Sequence, residues 1–514
     1  MIYAETMSDL LAKASEAYSD RPFIFTRKKE NDRFVRHSFK TLAKDAQAAA
    51  EAFIELGLEH KKVMIYADNS YEWVVSDLAI TAYTGVSVPV DSDWMALDVC
   101  EILDKLKVSA VIYCKKTENV INEIKSKYSN LKYICIEDDF IDILRRGRKL
   151  LEAKSGNSEF LEKTANNICK IISTSGTSGH PKSVPLTSWN ILSSHEFINR
   201  RIDVRNDKDL CYCPLELHHI FGNSALLYCL ACGVPIYLPK STARIAEDLK
   251  DLNPTFMTAT PSILQAFIDA VPEKLMEKYM KKLAKPGLFF SESYFEEFQK
   301  LFGTNMRALI CSAAKLPAKL KDIYCKMGVR VLEIYGLTEA SGPVSMDYMI
   351  DKFAESSGVV LEGIEIQIFD PDEDGFGEIA LRGEGIVQGY YKNLSSSITF
   401  IDDDGFFHTG DIGKLDSSNR LYVLGRISRI VIAGNGKHLA PHKIENLLDS
   451  YDEITSSLVY IKDDCVFAKI FSSETGTRVM EIVEEVNSKL PVYSRIQSYD
   501  LSKENPSAAH QNAG

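Results

Sequence analysis

Short apolar runs alternate with helical patterns over most of the chain. Residues 63–66 and 109–113 are apolar runs of the kind found in buried strands, and residues 72–84 and 96–106 between them have helical spacing. The same alternation returns at residues 209–239. This order predicts βαβ units, in which a mostly parallel sheet is covered by helices on both faces.

The pattern changes after about residue 344. Strand-like runs at 364–368, 377–381 and 421–424 are separated by clusters of Asp, Pro and Gly, which is typical of antiparallel sheets or barrels. The sequence therefore predicts an α/β protein. We expect two parallel-sheet subdomains and a distorted β-barrel in residues 1–424, followed by a small, mobile α+β domain in residues 425–514.

Composition narrows the class of protein. The chain has 514 residues, of which 45% are hydrophobic and 26% charged, and its net charge is −12. Scattered Lys and Arg residues in an acidic chain argue against a nucleic-acid partner. The first residues lack a signal-peptide pattern, and the longest uncharged stretch, 217–239, is too polar for a transmembrane helix. These features predict a cytoplasmic protein.

The 11 cysteines fit free thiols better than a disulfide framework. Cys211, Cys213, Cys229 and Cys232 have a spacing that could suit zinc. Their neighbours are mostly apolar, which favours buried thiols over a zinc site.

The candidate chemistry begins at residues 171–182, where hydroxyl residues and glycines lie between an apolar run and Lys182. Glycines let successive backbone N–H groups converge on an anion, and a lysine adds a point charge suited to phosphate. A Walker A loop is excluded, because Pro181 precedes the lysine. The interpretation is a loop that binds a polyphosphate; the alternative is a surface linker.

Three later motifs accompany this loop. Residues 335–339 read Tyr-Gly-Leu-Thr-Glu, residues 408–411 read His-Thr-Gly-Asp at an expected glycine turn, and residues 425–426 read Gly-Arg. Each one alone could be only a turn or a helix cap. In this order and at these separations they resemble the adenylate-forming superfamily, which includes acyl- and aryl-CoA synthetases, and the resemblance covers nearly the whole chain.

The resemblance implies a two-step reaction. A carboxylate attacks the α-phosphate of ATP to give acyl-AMP and pyrophosphate, and a thiol then displaces AMP to form a thioester. The implied cofactors are ATP, Mg²⁺ and coenzyme A, or the phosphopantetheine of an acyl carrier protein. In such phosphoryl chemistry the protein mainly positions groups and neutralises charge.

The resemblance also assigns roles to residues. The β- and γ-phosphates would be bound by Thr174, Ser175, Gly176, Thr177, Ser178, Gly179 and Lys182. The α-phosphate would contact Thr338, and Mg²⁺ would bind Glu339. The nucleoside would be bound by Ser312, Ala313, Ala314, Tyr335, Gly336, Asp411, Arg426 and Gly436, with Tyr335 stacked on adenine and Asp411 on the ribose hydroxyls.

The segment 214–222 resembles the family's acyl-pocket wall, with His219 at the pocket mouth near the path of the thiol; simple core packing is the alternative for both histidines. An aspartate that would pair with an amino-acid ammonium is absent from residues 219–223, so an amino acid is not expected. The segment looks most like medium- or long-chain fatty acyl-CoA synthetases, and aryl acids stay open. The resemblance places the domain hinge at Ser428.

One departure concerns the last residues. Relatives carry a lysine in a segment of the form P-x-T-x-x-G-K. Counted from Pro506, that position holds Asn512, and counted from Gly514 it lies beyond the sequence. A missing transition-state charge typically lowers a rate on the order of a hundred- to a thousandfold, so we expect slow adenylation. A lysine introduced at 512, or appended after Gly514, is expected to raise pyrophosphate exchange, and no gain from either would contradict this expectation.

Three hypotheses follow. The first is an acid–thiol ligase that makes acyl-CoA, the second an acyl-AMP ligase that loads a carrier protein, and the third a catalytically impaired nucleotide-binding relative. The missing lysine favours the third. The presence of Lys182, Glu339, Asp411 and Arg426 opposes it.

Overall fold

The computed structural model describes residues 1–27, 33–154, 160–174, 181–271, 303–326, 329–349, 355–391, 401–427, 431–432, 438–439, 441–462, 465–490 and 494–502. Contacts between Cα atoms divide the chain into two compact units. The first unit contains residues 1–364 and 382–402, and the second contains residues 365–381 and 403–514. A domain boundary at residues 424–425 stays a prediction.

The helices that the structure describes in the first unit are α1 Met7–Tyr18, α2 Phe39–Glu55, α3 Tyr71–Ala79, α4 Ala96–Leu106, α5 Glu118–Ile124, α6 Ile136–Ala153, α7 Ser188–Leu192, α8 His195–Arg201, α9 Ile220–Cys232, α10 Ile245–Leu252, α11 Pro261–Asp269 and α12 Ala318–Lys326. The second unit contributes α13 Pro441–Leu448 and α14 Gly476–Ser488.

The strands up to residue 360 are β1 Pro22–Thr26, β2 Val35–Ser38, β3 Lys62–Tyr66, β4 Val86–Pro89, β5 Ala110–Tyr113, β6 Lys132–Cys135, β7 Ile168–Thr174, β8 Lys182–Thr187, β9 Cys211–Tyr212, β10 Ile236–Tyr237, β11 Phe256–Ala259, β12 Ala308–Cys311, β13 Arg330–Leu337, β14 Gly342–Met346 and β15 Val359–Val360. The later strands are β16 Ile364–Phe369, β17 Gly377–Gly383, β18 Phe407–Leu415, β19 Leu421–Arg426, β20 Val431–Ile432, β21 His438–Leu439, β22 Ser456–Lys462, β23 Cys465–Phe471 and β24 Ser498–Ser502.

The first unit is built on two sheets. One has the order β6-β5-β3-β4-β7-β8, and its neighbours are parallel except for the β7–β8 hairpin. The other has the order β15-β14-β13-β12-β11-β9-β10-β1-β2, with parallel central strands and antiparallel pairs at both edges. Parallel sheets are covered on both faces, which explains why the central strands consist of continuous apolar runs.

Helices α6 and α2 pack with their backbones in close contact. A side chain at Gly147 of α6 would place its Cβ 1.7 Å from the backbone oxygen of Ala48 in α2, so only glycine permits this approach. The large buried side chains nearby include Trp73, Phe53 and Phe140. Among the described helices, none combines the length and the apolar character required to cross a membrane.

The second unit contains the antiparallel sheet β16-β17-β18-β19. It also contains the three-stranded sheet β22-β23-β24, against which α13 and α14 pack a core that includes Leu448, Ile470 and Val483. The predicted α/β class is confirmed. The predicted strands at 63–66 and 109–113 and the predicted helix at 96–106 are found within a residue of their expected bounds.

Candidate active site

The two ends of the glycine-rich loop lie opposite each other in the first unit. Thr174 ends β7, Lys182 begins β8, and the two residues are register partners in the antiparallel hairpin. Lys105 donates a hydrogen bond to the carbonyl of Pro181 at 2.7 Å, which fixes the start of β8. Ser175, Gly176, Thr177, Ser178 and Gly179 lie outside the described residues, so their predicted role stays a prediction.

Tyr390 connects Lys182 with Glu339. The ammonium of Lys182 lies 5.2 Å from the centre of the Tyr390 ring, within the range of a cation–π contact. The hydroxyl of Tyr390 donates to Oε1 of Glu339 at 2.8 Å. One tyrosine therefore joins Lys182, which the resemblance assigns to the phosphates, to Glu339, which it assigns to Mg²⁺.

The backbone around Glu339 is held by the segment that leads to Tyr390. The N–H of Val387 donates to the carbonyl of Glu339 at 2.9 Å, and the hydroxyl of Ser341 donates to the carbonyl of Gly385 at 2.6 Å. Sequence reasoning missed Tyr390, because nothing in its local sequence separates it from the other tyrosines among the 23 in the chain.

Tyr335 and Gly336 lie at the end of β13, beside the antiparallel strand β14. The register shifts between them, and a Cβ on Gly336 would lie 2.3 Å from the backbone oxygen of Gly342. Glycine is therefore required where the two strands approach. Thr338 follows in a short helical turn and is buried.

The predicted adenine segment follows β12, the neighbouring parallel strand. The hydroxyl of Ser312 donates to the carbonyl of Ile334 at 2.9 Å, which joins the ends of β12 and β13. Ala313 has a φ of 76°, a left-handed backbone that costs an L-residue about 1–2 kcal/mol. Ser312 and Ala313 line a cavity, and Ala314 is exposed beside them.

This cavity lies within the first unit and has a volume of about 670 Å³. Ser312, Ala313, Gly336 and Thr338 line it, as do residues of the predicted pocket segment, including His219. Most of the other lining side chains are apolar, among them Ile198, Ile202, Val204, Phe221, Ala225, Tyr228, Val234, Phe256, Ile263, Ile310 and Ile334. Among the described lining residues, Glu216 is the only acidic or basic one apart from His219.

A buried polar network fixes the turn that carries the two histidines. Asn69 accepts from the N–H of Leu217 at 2.9 Å and donates to the carbonyl of Leu215 at 2.8 Å. Asn223 of α9 donates to the carbonyl of Leu217 at 3.3 Å and accepts from Lys170 at 2.8 Å. The turn is thereby tied to both the helix that follows it and the six-stranded sheet.

The two histidines of the turn differ in their surroundings. The side chain of His218 is 9% exposed, whereas that of His219 is 60% exposed and faces the cavity. Burial, followed by the nearby His219, lowers the pKa of His218 to about 3. His218 is therefore a neutral imidazole at physiological pH. Burial also raises the pKa of Glu216 above its ordinary value.

Asp411 and Arg426 lie together in the second unit. They are register partners on β18 and β19, and Nε of Arg426 lies 3.1 Å from Oδ1 of Asp411. Arg426 also donates to the carbonyl of Thr409 at 2.7 Å. The expected glycine turn at 408–411 is wrong: these residues lie within β18, where Gly410 has a φ of 71°. The register with β17 shifts between Glu378 and Ala380, and this irregularity accommodates the one residue with positive φ inside the strand.

Three further predicted features lie outside the described residues. They are Gly436, the hinge at Ser428, and the segment 503–514 that holds Asn512.

The sequence profile of the family described as AMP-binding enzyme matches residues 11–391. The chain belongs to this AMP-binding enzyme family. The match includes the hairpin with Lys182, the turn with Glu339, the cavity and Tyr390, so these features form the candidate active site of a family member.

Curated relatives of this AMP-binding enzyme include long-chain-fatty-acid–CoA ligase 5 of Mus musculus, which is 27% identical over 84% of this chain and 70% of its own length. The peroxisomal long chain acyl-CoA synthetase 7 of Arabidopsis thaliana is 25% identical over 86% of this chain and 69% of its own length.

Solved structures with the same fold include an anthranilate CoA ligase in complex with anthranoyl-AMP, with a TM-score of 0.79 and 20% identity over 98% of this chain and 95% of that chain. A Mycobacterium tuberculosis fatty acyl CoA synthetase has a TM-score of 0.72 and 20% identity over the same shares. The predicted membership of the adenylate-forming superfamily, and the predicted class of AMP-forming acid–thiol ligase, are confirmed at the level of the family.

Proposed function

We propose that this enzyme activates a medium- or long-chain fatty acid with ATP through an acyl-AMP intermediate and transfers the acyl group to coenzyme A. The cavity carries the proposal. Its lining includes the hydroxyl residues Thr338 and Ser312, and apolar residues that include Ile198, Ile202 and Phe256. An apolar acid can bury its chain against the apolar side chains and place its carboxylate near Thr338 and Ser312.

The phosphates of ATP would be bound at the β7–β8 hairpin. Lys182 holds its ammonium over the face of Tyr390, which leaves the charge free to meet pyrophosphate as negative charge leaves the α-phosphate. Thr338 would contact the α-phosphate beside the cavity.

Glu339 fits the family's magnesium ion. One carboxylate oxygen accepts from Tyr390, and the other, which has no hydrogen bond among the residues that the structure describes, would bind a hard cation, which prefers carboxylate oxygen. When bound, Mg²⁺ supplies charge neutralisation to the phosphates.

The family resemblance supplies the proposed contacts with the nucleoside. Ser312, Ala313 and Tyr335 of the first unit would line adenine. Gly336 has no side chain, so adenine could approach the backbone of Gly336 closely. Asp411 of the second unit would accept hydrogen bonds from the ribose hydroxyls, and Arg426, whose Nε lies 3.1 Å from Oδ1 of Asp411, would orient the carboxylate.

The second half-reaction involves the mouth of the cavity, where His219 is exposed. We propose that His219 contacts the entering thiol, and that residues 425–514 move on a hinge at Ser428 between the two half-reactions. We further propose a cytoplasmic location.

The proposal is tested by incubating the protein with ATP, Mg²⁺ and a panel of fatty, aryl and amino acids, with coenzyme A or an acyl carrier protein as acceptor. Pyrophosphate release and CoA thioester formation that rise with fatty-acid chain length are expected. Preference for an aryl acid, or transfer only to the carrier protein, would replace the corresponding part of the proposal. If the protein binds nucleotide but forms neither product from any acid, the hypothesis of a catalytically impaired relative would replace the proposal.

Replacing Tyr390 by phenylalanine removes the hydroxyl that binds Glu339 but keeps the ring beneath Lys182. Because a hydrogen bond to a charged group contributes about 1.5–3 kcal/mol, the rate of pyrophosphate exchange is expected to fall on the order of tenfold or more. Tyr391→Phe is the matched control, since the hydroxyl of Tyr391 is 3.3 Å from Lys62. Equal rates for the two variants would contradict a role for Tyr390.

Replacing Asp411 by asparagine removes the charge that pairs with Arg426. The KM for ATP is expected to rise on the order of tenfold, because hydrogen bonds to an ionised acceptor are about twice as strong as neutral ones. The sharper measurement uses 2′-deoxy-ATP and 3′-deoxy-ATP. Each analogue lacks one ribose hydroxyl, so the rise in KM caused by Asp411→Asn should be smaller with the analogue that lacks the contacted hydroxyl. The exposed Asp403→Asn is the control. An undiminished loss with both analogues would contradict a contact with the ribose.

A further inference from the structure

Three ligand atoms converge in the turn that precedes α9. Oε2 of Glu216 lies 3.6 Å from Nε2 of His219 and 3.9 Å from Nε2 of His218. One ligand atom from each of the three residues lies within 4.8 Å of the other two. Nothing in the proposed acyl-transfer chemistry uses Glu216 or His218.

His218 gives this cluster an unpartnered donor. Its side chain is 9% exposed, and its Nε2 is buried without a hydrogen-bond partner among the residues that the structure describes. A buried polar atom left without a partner costs about 1–3 kcal/mol, so a native structure normally gives it one. A neutral imidazole with a free ring nitrogen is the commonest metal ligand in proteins.

The charges around His218 favour a cation. Oδ2 of Asp91, from a different segment of the chain than Glu216, also lies 3.9 Å from Nε2 of His218. Lys116, whose charge also acts on Glu216, pairs with Asp93 at 2.7 Å and with Asp68 at 2.9 Å. Two carboxylates therefore lie within 3.9 Å of the imidazole nitrogen, and their oxygens favour a cation there.

The backbone of the turn is fixed before any ligand binds. Asn69 pairs with Leu215 and Leu217 on both sides of Glu216. A Cβ on Gly222 would lie 2.4 Å from the carbonyl oxygen of Glu216, so glycine lets the turn pack directly against α9. Only the exposed side chains of Glu216 and His219, which are 59% and 60% exposed, must rotate to close on an ion.

We propose that Glu216, His218 and His219 form a binding site for Zn²⁺. Two imidazoles and one carboxylate are a ligand set that zinc uses in proteins, with bonds of about 2.0–2.2 Å, and tetrahedral zinc needs donors slightly closer than those seen here. Imidazole donors select zinc over Mg²⁺, so this site is distinct from the one at Glu339. The fourth position opens onto the cavity, because Glu216 and His219 line it.

The site is tested on the full chain, stripped of metal and titrated with Zn²⁺ against a chromophoric chelator. We expect one tight equivalent of Zn²⁺, and a tetrahedral visible spectrum when Co²⁺ is used instead. Glu216→Gln and His219→Gln should each weaken Zn²⁺ binding at least about tenfold, the range seen when even outer groups of a metal site are lost. His218→Gln should do the same.

His60→Gln is the matched control, because His60 lies 4.0 Å from Glu59 in an exposed pair that has no third ligand among the described residues. It should bind Zn²⁺ like the unaltered protein. Since Glu216 and His219 are exposed, their variants keep the test valid if His218→Gln does not fold. Equal Zn²⁺ affinity in Glu216→Gln, His219→Gln and His60→Gln would overturn the proposal, as would a Co²⁺ spectrum that none of the cluster variants changes.

Discussion

Replacing Lys182 by alanine is expected to lower the rate of pyrophosphate exchange on the order of a hundred- to a thousandfold. The reason is that a preorganised charge aimed at the phosphates acts most strongly when negative charge moves onto the leaving pyrophosphate. In the structure Lys182 is fixed at the start of β8, opposite Thr174, with its ammonium over Tyr390. The loss should therefore fall on kcat for the first half-reaction.

The measurement separates the two half-reactions. Thioester formation from preformed acyl-AMP needs no pyrophosphate, so Lys182→Ala should leave that rate largely intact. Lys149→Ala, in the exposed part of α6, removes an equal charge and should change neither rate. A comparable loss in both half-reactions would point to damaged folding, and no loss in either would remove Lys182 from the proposed mechanism.

Replacing Lys170 by methionine is expected to reduce the free energy of unfolding by about 3–5 kcal/mol, because it leaves a buried carboxylate without its partner. Nζ of Lys170 lies 2.8 Å from Oδ2 of Asp77, and the two side chains are 1% and 2% exposed. Asp77 also accepts from Ser87 at 2.7 Å. The variant should unfold at a clearly lower urea concentration.

A double variant distinguishes the lost pair from lost packing. Because a buried ion pair replaced by apolar residues is often neutral, Lys170→Met combined with Asp77→Leu should recover much of the loss. Lys13→Ala removes an exposed partner of Asp9, and such pairs contribute about 0–1 kcal/mol. A loss for Lys170→Met no larger than that for Lys13→Ala would contradict the structural role of the pair.

The fold was accessible from the sequence where burial is simple. Residues 63–66 and 109–113 are apolar on both faces because they are central parallel strands, and a continuous apolar run predicts such a strand directly. The helix at 96–106 likewise has one apolar stripe, with Val99, Ile102, Leu103 and Leu106 buried. The glycine turn expected at 408–411 failed because one residue with positive φ can be accommodated inside a strand, and local sequence does not distinguish that from a turn.

The candidate site divides in the same way. The order and spacing of the motifs identified Lys182, Thr338 and Glu339 as candidate site residues, because each belongs to a short local pattern. Tyr390 was missed, since its contact with Glu339 spans 51 residues and leaves no local trace. The link from Lys170 to Asp77 spans 93 residues and was missed for the same reason.

The sequence by itself determined the alternation of strands and helices and the family to which the motifs point, because these depend on residues close together in the chain. Tertiary structure alone decided which histidine is buried, which tyrosine joins Lys182 to Glu339, and that Glu216 faces both histidines. Those features depend on contacts between segments that are distant in sequence, and such contacts exclude water only once the chain is folded.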